Sequence, residues 1–176
     1  VPVSYSRLGA AHRLQSWIRL LAASAQDPDH SYTAHTLGRG QMRHGGVEVS
    51  RLGPVDDHTA LDLLRDLVAI YDEGMSHPLP MPLKSASIYA QYRRSQASTF
   101  EAMRVARKRW RDDRFPGEQS DREHVQLWGF KADLPGSRKD GWGELAPWGE
   151  PDEPAPFGAY AVRVWRPLLD AENLPW

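Results

Sequence analysis

The sequence predicts an α+β fold that is dominated by helices and contains one small antiparallel strand pair. Apolar residues recur at helical spacing in several long segments, whereas only residues 31–37 and 47–52 form short runs of β-tolerant side chains. Clusters of proline and glycine separate these segments. We therefore expect about four or five helices packed with the strand pair around one core, the 176 residues forming a single domain.

The composition restricts the function classes. A net charge of −1 excludes a globally basic nucleic-acid-binding protein but is compatible with local basic patches. The absence of cysteine excludes disulfides and thiolate metal sites, and favours a reducing cytoplasm as the location. No apolar run approaches the roughly 20 residues needed to span a bilayer, so no membrane partner is expected. Because the first residue is Val1, we expect an excised piece of a longer protein.

The first 52 residues predict one helix followed by the strand pair. Apolar side chains from Leu14 to Ala25 define an amphipathic helix that ends near Pro28. A glycine-rich loop then joins the two β-tolerant runs, 31–37 and 47–52, as antiparallel strands.

Residues 54–92 form the central stretch, which predicts a helix, an extended proline segment and a second helix. Two apolar rows make a broad face on the first helix, so we expect it to be among the most buried elements. Thr59 and Asp62 are spaced as a capping box, and Gly74 suits the position after the helix end. Residues 78–82 alternate proline with apolar residues, and the second helix covers about residues 85–92.

The remaining chain predicts three more helices and a long loop. Ser98 and Glu101 are spaced to cap a helix over 99–112, whose narrow apolar side carries four residues: Phe100, Met103, Ala106 and Trp110. Ser120 and Glu123 are spaced to cap a short helix ending near residue 128. Residues 133–156 form a loop rich in proline, glycine and tryptophan, and the last helix follows, kinked or restarted at Pro167.

The segment YDEGMSHPLPMPLKSASIYAQY resembles the C-terminal part of the gamma subunit of exodeoxyribonuclease V, the RecC family, and two later segments around 115–129 and 157–169 fit the same family. The resemblance runs from about residue 47 to 169. It implies part of a degenerate restriction-endonuclease-like domain at the C-terminus of a larger protein. It also implies a non-catalytic role in DNA repair, with RecB-like and RecD-like subunits as partners and with contacts to double-stranded and unwound DNA.

A search for catalytic motifs returns none. Restriction-type nucleases need an acidic residue two positions before a lysine, and the four lysines are preceded there by Pro82, Ala106, Gly129 and Ser137. No lysine follows a glycine, which excludes a P-loop. Asp121 and His124 could be half a catalytic dyad, but a structural hydrogen bond is the favoured interpretation because no nucleophile accompanies them. We expect no catalytic residue, cofactor or metal site.

A basic run is the one feature with a candidate ligand. The candidate DNA-binding residues are Arg93, Arg94, Arg104, Arg107, Lys108 and Arg111. Arg104, Lys108 and Arg111 recur at helical spacing and could follow a phosphate backbone, although such runs are more often solvated helix faces. Two other functions stay open: a protein-interaction module without DNA contact, and a stand-alone enzyme with an unrecognised site. Salt-dependent DNA affinity belongs only to the first hypothesis.

Overall fold

The computed structural model describes residues 6–39, 46–111, 116–138 and 152–173, and these residues adopt the expected helix-dominated α+β class. The predicted strand pair is confirmed. The described residues contain six α-helices where about four or five were expected, and a third, two-residue strand was not predicted. The elements are α1 (Ala10–Gln26), β1 (Ala34–Arg39), β2 (Val47–Leu52), α2 (Asp57–Ser76), α3 (Leu83–Arg94), α4 (Thr99–Arg111), a 3₁₀ turn (Glu118–Ser120), α5 (Arg122–Trp128), α6 (Pro156–Ala171) and β3 (Glu172–Asn173).

The chain divides into two compact units. The first unit combines the residues up to Tyr71 with those from Asp170 onward, and the second unit runs from Asp72 to Leu169. The nuclease-like character of the fold stays a prediction, as does the single-domain organisation. Among the described residues, no helix has both the length and the apolar character that a membrane span requires.

The first unit is built on an antiparallel sheet in the order β1-β2-β3. Ala34 lies opposite Leu52, and Leu52 also lies opposite Glu172, so β2 is the central strand. Gly38 is required on β1, because a Cβ atom there would lie 2.5 Å from the backbone nitrogen of Leu8. Trp17 of α1 is buried.

A buried ion pair ties α1 to two strands of this sheet. Arg13 of α1 donates from Nε to Oε1 of Glu172 at 2.8 Å, and its Nη2 donates to Oε2 of the same carboxylate. Ser50 of β2 donates its hydroxyl to Oε1. All three residues are buried, so the carboxylate exchanges water for a bidentate charged partner and a hydroxyl. The two-residue β3 thereby contributes a carboxylate that bonds both α1 and β2.

In the second unit, the most enclosed helix is α6. Phe157, Trp165 and Leu168 have no exposed surface, and the ring of Tyr89 from α3 meets the ring of Phe157 edge-on at 5.3 Å. Pro167, where a kink or restart was predicted, lies inside one helix that continues to Ala171.

The N-terminus of α3 is capped by a residue from another part of the chain. Pro82, the residue before the helix, offers no capping side chain. Instead, the buried carboxylate of Glu118 accepts the backbone N–H groups of Lys84 and Ser85, both at 2.8 Å, and the Ser85 hydroxyl at 2.7 Å. A carboxylate at a helix N-terminus also interacts favourably with the helix dipole. Glu118 therefore supplies two of the helix's free N–H groups with a partner.

The prediction that α2 is among the most buried helices is wrong. Of its described residues, Ala60 and Ile70 are buried, whereas Leu61, Val68 and Tyr71 are 40%, 56% and 65% exposed. Periodicity identified both apolar rows correctly, but a second apolar row indicates burial only when another element covers it. Here one row packs inside the chain and the other lies on the surface.

Three predicted helix ends are also corrected. Asp56, rather than Thr59, caps α2, because its Oδ1 accepts the Thr59 N–H at 2.9 Å, and Asp62 pairs with Arg65. Gly74 lies inside α2 rather than after it. At α5, the residue before the helix is Asp121, and the predicted capping box from Ser120 is not formed. Local patterns admit several start positions within one turn, and tertiary packing selects among them.

Candidate nucleic-acid interface

Helix α4 is held in place at its start and along one side. The capping box is formed as predicted: the Glu101 N–H donates to Ser98 Oγ at 3.2 Å, and the Ser98 N–H donates to Glu101 Oε2 at 3.2 Å. On the inner side Met103, Ala106 and Trp110 are buried. The Trp110 indole Nε1 donates to the carbonyl of Ala132 at 2.9 Å, which fixes the end of the helix.

The outer side of α4 carries the predicted basic residues. Arg104, Arg107, Lys108 and Arg111 are all exposed, as the DNA-binding hypothesis requires. They occupy positions i, i+3, i+4 and i+7, which lie on one helical face. We call these four residues the basic face. Its exposure is confirmed, and its ligand stays a prediction.

Within the described ranges, the carboxylate that pairs with the basic face is Asp133. Arg111 donates from Nη2 to Asp133 Oδ1, and Arg138 lies 3.8 Å from the other carboxylate oxygen. The side chains of Arg111 and Asp133 are 54% and 59% exposed. An ion pair this exposed contributes little stability, so a phosphate can compete for the guanidinium.

The other two candidate residues lie at the end of α3. Arg93 donates from Nε to Glu153 Oε1 at 2.6 Å and from Nη1 to the Ala97 carbonyl at 2.7 Å. The hydrogen bond to Glu153 raises the pKa of the Arg93 guanidinium, and Tyr89 donates its hydroxyl to the same carboxylate. The Arg93 side chain is 16% exposed, so its environment differs from that of the basic face, whereas Arg94 is exposed.

Phe100 was predicted to anchor the buried side of α4, and this prediction is wrong. Its side chain is 75% exposed. Position 100 lies four residues before Arg104 and seven before Arg107, so the phenylalanine belongs to the same helical stripe as the basic face. Ala102, rather than Phe100, is buried on the inner side of the helix.

The candidate catalytic pair is not assembled. Asp121 accepts from Lys84 Nζ at 3.1 Å, and His124 Nδ1 bonds the carbonyl of Glu118 at 2.7 Å. Each residue therefore makes a structural interaction, but with a partner other than the one that the sequence favoured. Among the described residues, no group of three or more carboxylate or imidazole side chains is arranged to hold a metal ion. Trp142 and Trp148 of the predicted loop lie outside the described residues.

Sequence reasoning missed three buried carboxylates: Glu118, Glu153 and Glu172. Each accepts hydrogen bonds from residues far away in the chain. The longest separations are 34 positions for Glu118, 64 for Glu153 and 159 for Glu172. No local pattern marks such a glutamate, because its partner is chosen by the tertiary fold. The signal available was only that glutamates stand in otherwise proline-rich or apolar segments.

The described residues form a helix-dominated α+β fold in which α4 carries an exposed cationic face. The family model described as the RecC C-terminal domain matches residues 1–94, more than half of the chain. The chain therefore belongs to the RecC C-terminal domain family, which confirms the resemblance seen in the sequence.

Curated relatives extend the similarity across almost the whole chain. The RecBCD enzyme subunit RecC of Mycobacterium tuberculosis (strain ATCC 25618 / H37Rv) is 36% identical over 177 residues, and that of Mycolicibacterium smegmatis is 42% identical over 174 residues. Both alignments cover 98% of this chain and include α4. The chain spans 15% of the length of these relatives.

Proposed function

We propose that this chain is the C-terminal domain of a RecC-type subunit in a RecBCD helicase-nuclease, where it acts without a catalytic site of its own. In this role it helps assemble the complex with RecB-like and RecD-like subunits, and it guides double-stranded and unwound DNA during double-strand break repair in the cytoplasm. Membership of the family supports the assignment to the complex. The exposed basic face is the single observation that carries the DNA-guiding part.

The dimensions of the basic face suit a short stretch of phosphate backbone. Seven positions separate Arg104 from Arg111, which is about 10 Å along a helix at 1.5 Å per residue. One strand of B-DNA presents about three phosphates over that length. Phosphate contacts carry no sequence information, so guidance by this face is independent of DNA sequence. Dissociation constants of about 10⁻⁴ to 10⁻⁶ M are ordinary for such binding.

The test compares DNA affinity across a salt series. A fluorescent forked duplex is titrated with the wild-type chain and with Arg104→Ala/Lys108→Ala/Arg111→Ala. Each lost phosphate contact should reduce the slope of log affinity against log salt by about one unit. Arg19→Ala/Arg51→Ala/Arg65→Ala is the matched control, because it removes the same charge from exposed arginines outside α4. Equal slopes for both triple variants would contradict the proposal.

The exposed row of α2 supports the assembly part and also the alternative function, a protein-interaction module without DNA contact. Leu61, Val68 and Tyr71 lie at spacings of seven and three, the period of a helix-packing seam. A seam of this kind is typical of contact with another helix. Val68→Asp should reduce co-purification with the RecB-like and RecD-like subunits, while Asp62→Ala on the same helix should not. If Val68→Asp abolishes assembly and DNA affinity is insensitive to the basic face, the alternative is correct.

The stand-alone enzyme is the least supported function. It requires a concave site with convergent groups of perturbed pKa. One described cleft, of about 380 Å³, is lined by residues that include Asp29, His30 and Asp56. The pKa of Asp56 is lowered, and the cause is its hydrogen bond from the Thr59 backbone at the start of α2. That shift reflects helix capping and gives no reason to assign catalysis.

A further inference from the structure

The outer side of α4 carries one aromatic residue, Phe100, among its charged side chains. Phe100 is 75% exposed, and it precedes Arg104, Arg107 and Arg111 by four, seven and eleven positions. These spacings place the ring in line with the guanidinium groups along one stripe of the helix. A large apolar ring in a charged, solvated stripe gains nothing from the chain's own core. It is suited to a ligand that presents both negative charge and a flat apolar face.

We propose that the outer side of α4 is a binding site for single-stranded DNA, in which Phe100 stacks on an unpaired base while the basic face contacts the adjoining phosphates. The inference rests on the proposed DNA-guiding function and adds that the site selects single-stranded over double-stranded DNA. Every base has a π-face, so stacking does not depend on the DNA sequence. It is therefore compatible with phosphate contacts, which are also independent of sequence. Inside a duplex both faces of each base are occupied by its neighbours, so this ring has no stacking partner between the duplex ends.

The local structure fixes the helical turn that carries the ring. The reciprocal Ser98–Glu101 hydrogen bonds close the first turn of α4, in which Phe100 lies. Met103 and Trp110 are buried on another side of the helix and hold it in place. The backbone at position 100 is therefore ordered before binding, and the remaining ordering cost is that of the Phe100 side chain.

The length of the stripe indicates a short site. Eleven positions separate Phe100 from Arg111, which is about 16 Å along the helix. The stacked base belongs at the Phe100 end, and the strand continues over Arg104 and Arg107 toward Arg111. Phe130, which is 76% exposed but lies in the segment after α5, provides an internal comparison of equal chemistry outside this stripe.

The experiment measures the binding of an oligothymidylate and a blunt duplex to three variants of the chain: Phe100→Leu, Phe130→Leu and the α4 triple arginine–lysine variant. Removing the aromatic ring at position 100 should weaken single-strand binding roughly tenfold, which lies in the lower half of the range for one stacked base. The salt slope should not change, since no charge is lost. Duplex affinity should be unaffected by Phe100→Leu, and Phe130→Leu should behave as wild type in both assays. Circular dichroism of each variant verifies folding.

A second measurement locates the base directly. Oligothymidylate containing 5-iodouracil is irradiated with the complete RecC-type subunit in its assembled complex, and the adduct is mapped by mass spectrometry. The expected adduct is on the peptide that contains Phe100, and Phe100→Leu should remove it. An adduct elsewhere, with unchanged affinity of Phe100→Leu for the single strand, would overturn the stacking site.

The outcomes separate this inference from the proposed function. If the triple variant flattens the salt slope but Phe100→Leu binds as wild type, DNA guidance stands and stacking is wrong. If neither variant changes binding, both are wrong. If Phe130→Leu weakens single-strand binding as much as Phe100→Leu, or if duplex binding falls equally, the assignment of a single-strand site to α4 is overturned.

Discussion

Breaking the buried ion pair between Arg13 and Glu172 should be among the most damaging single changes in the first unit. Arg13→Ala leaves the Glu172 carboxylate buried with Ser50 as its remaining described partner. Removing one member of a buried pair costs about 3–5 kcal/mol, because the other charge stays desolvated without compensation. Arg65→Ala is the surface control: its pair with Asp62 is exposed, so the loss should be below about 1 kcal/mol.

A paired replacement distinguishes the cost of an orphaned charge from simple loss of packing. The variant Arg13→Met/Glu172→Leu removes both charges and retains apolar volume, so it should be more stable than Arg13→Ala alone. The non-additive part, obtained from the double-mutant cycle, is the coupling between the two side chains.

The assay is urea denaturation combined with amide hydrogen exchange on β2. Because the chain divides into two compact units, the exchange rates are needed to assign the loss to the unit that contains the sheet. A loss below about 1 kcal/mol for Arg13→Ala, with unchanged exchange on β2, would refute the reasoning.

Three further predictions follow from burial and capping. Val68→Ala, on the exposed row of α2, should change the free energy of unfolding by less than about 0.5 kcal/mol. Leu21→Ala, in the core, should lower it by about 2–5 kcal/mol. Urea titrations measure both values. Glu118→Ala should cost about 1–3 kcal/mol because it leaves the first N–H groups of α3 without their acceptor, and exchange at Ser85 should accelerate. Burial and the Glu153 carboxylate raise the pKa of Tyr89 above its ordinary value of 10.0. The neutral hydroxyl therefore stabilises the fold below pH 10, and the free energy of unfolding falls as the pH rises further. Tyr89→Phe should flatten that decline, measured by thermal unfolding above pH 10.

Elements whose partners are close in sequence could be predicted, and those whose partners are distant could not. The capping box at Ser98 and Glu101 forms as expected because both residues lie within one turn. The two longer strands pair as expected because their β-tolerant runs lie close together in the sequence. The strand at Glu172 was missed, since two residues are too short for periodicity and their partner is β2, more than a hundred positions earlier.

The error on α2 has a different physical origin. Apolar periodicity shows which residues of a helix form an apolar face, whereas the burial of that face depends on whether another element packs against it. The row through Ala60 and Ile70 is buried, and the row through Val68 is exposed. Such a surface is the expected property of a segment that covers 15% of its relatives' length and is proposed to work in an assembly.

The candidate DNA-binding residues also fall into two groups, because their burial depends on partners that are distant in sequence. In the sequence, Arg93 and Arg104 are members of one basic run with equal standing. In the structure, Arg93 is held by Glu153, a residue sixty positions away, while Arg104 faces solvent on the opposite side from Trp110. A guanidinium already bound to a buried carboxylate cannot bind phosphate without leaving that carboxylate unpaired, which costs several kcal/mol, whereas an exposed guanidinium only exchanges water for phosphate. Charge density along the chain therefore identifies where cations are concentrated, and the position of each carboxylate decides which of them are available to DNA.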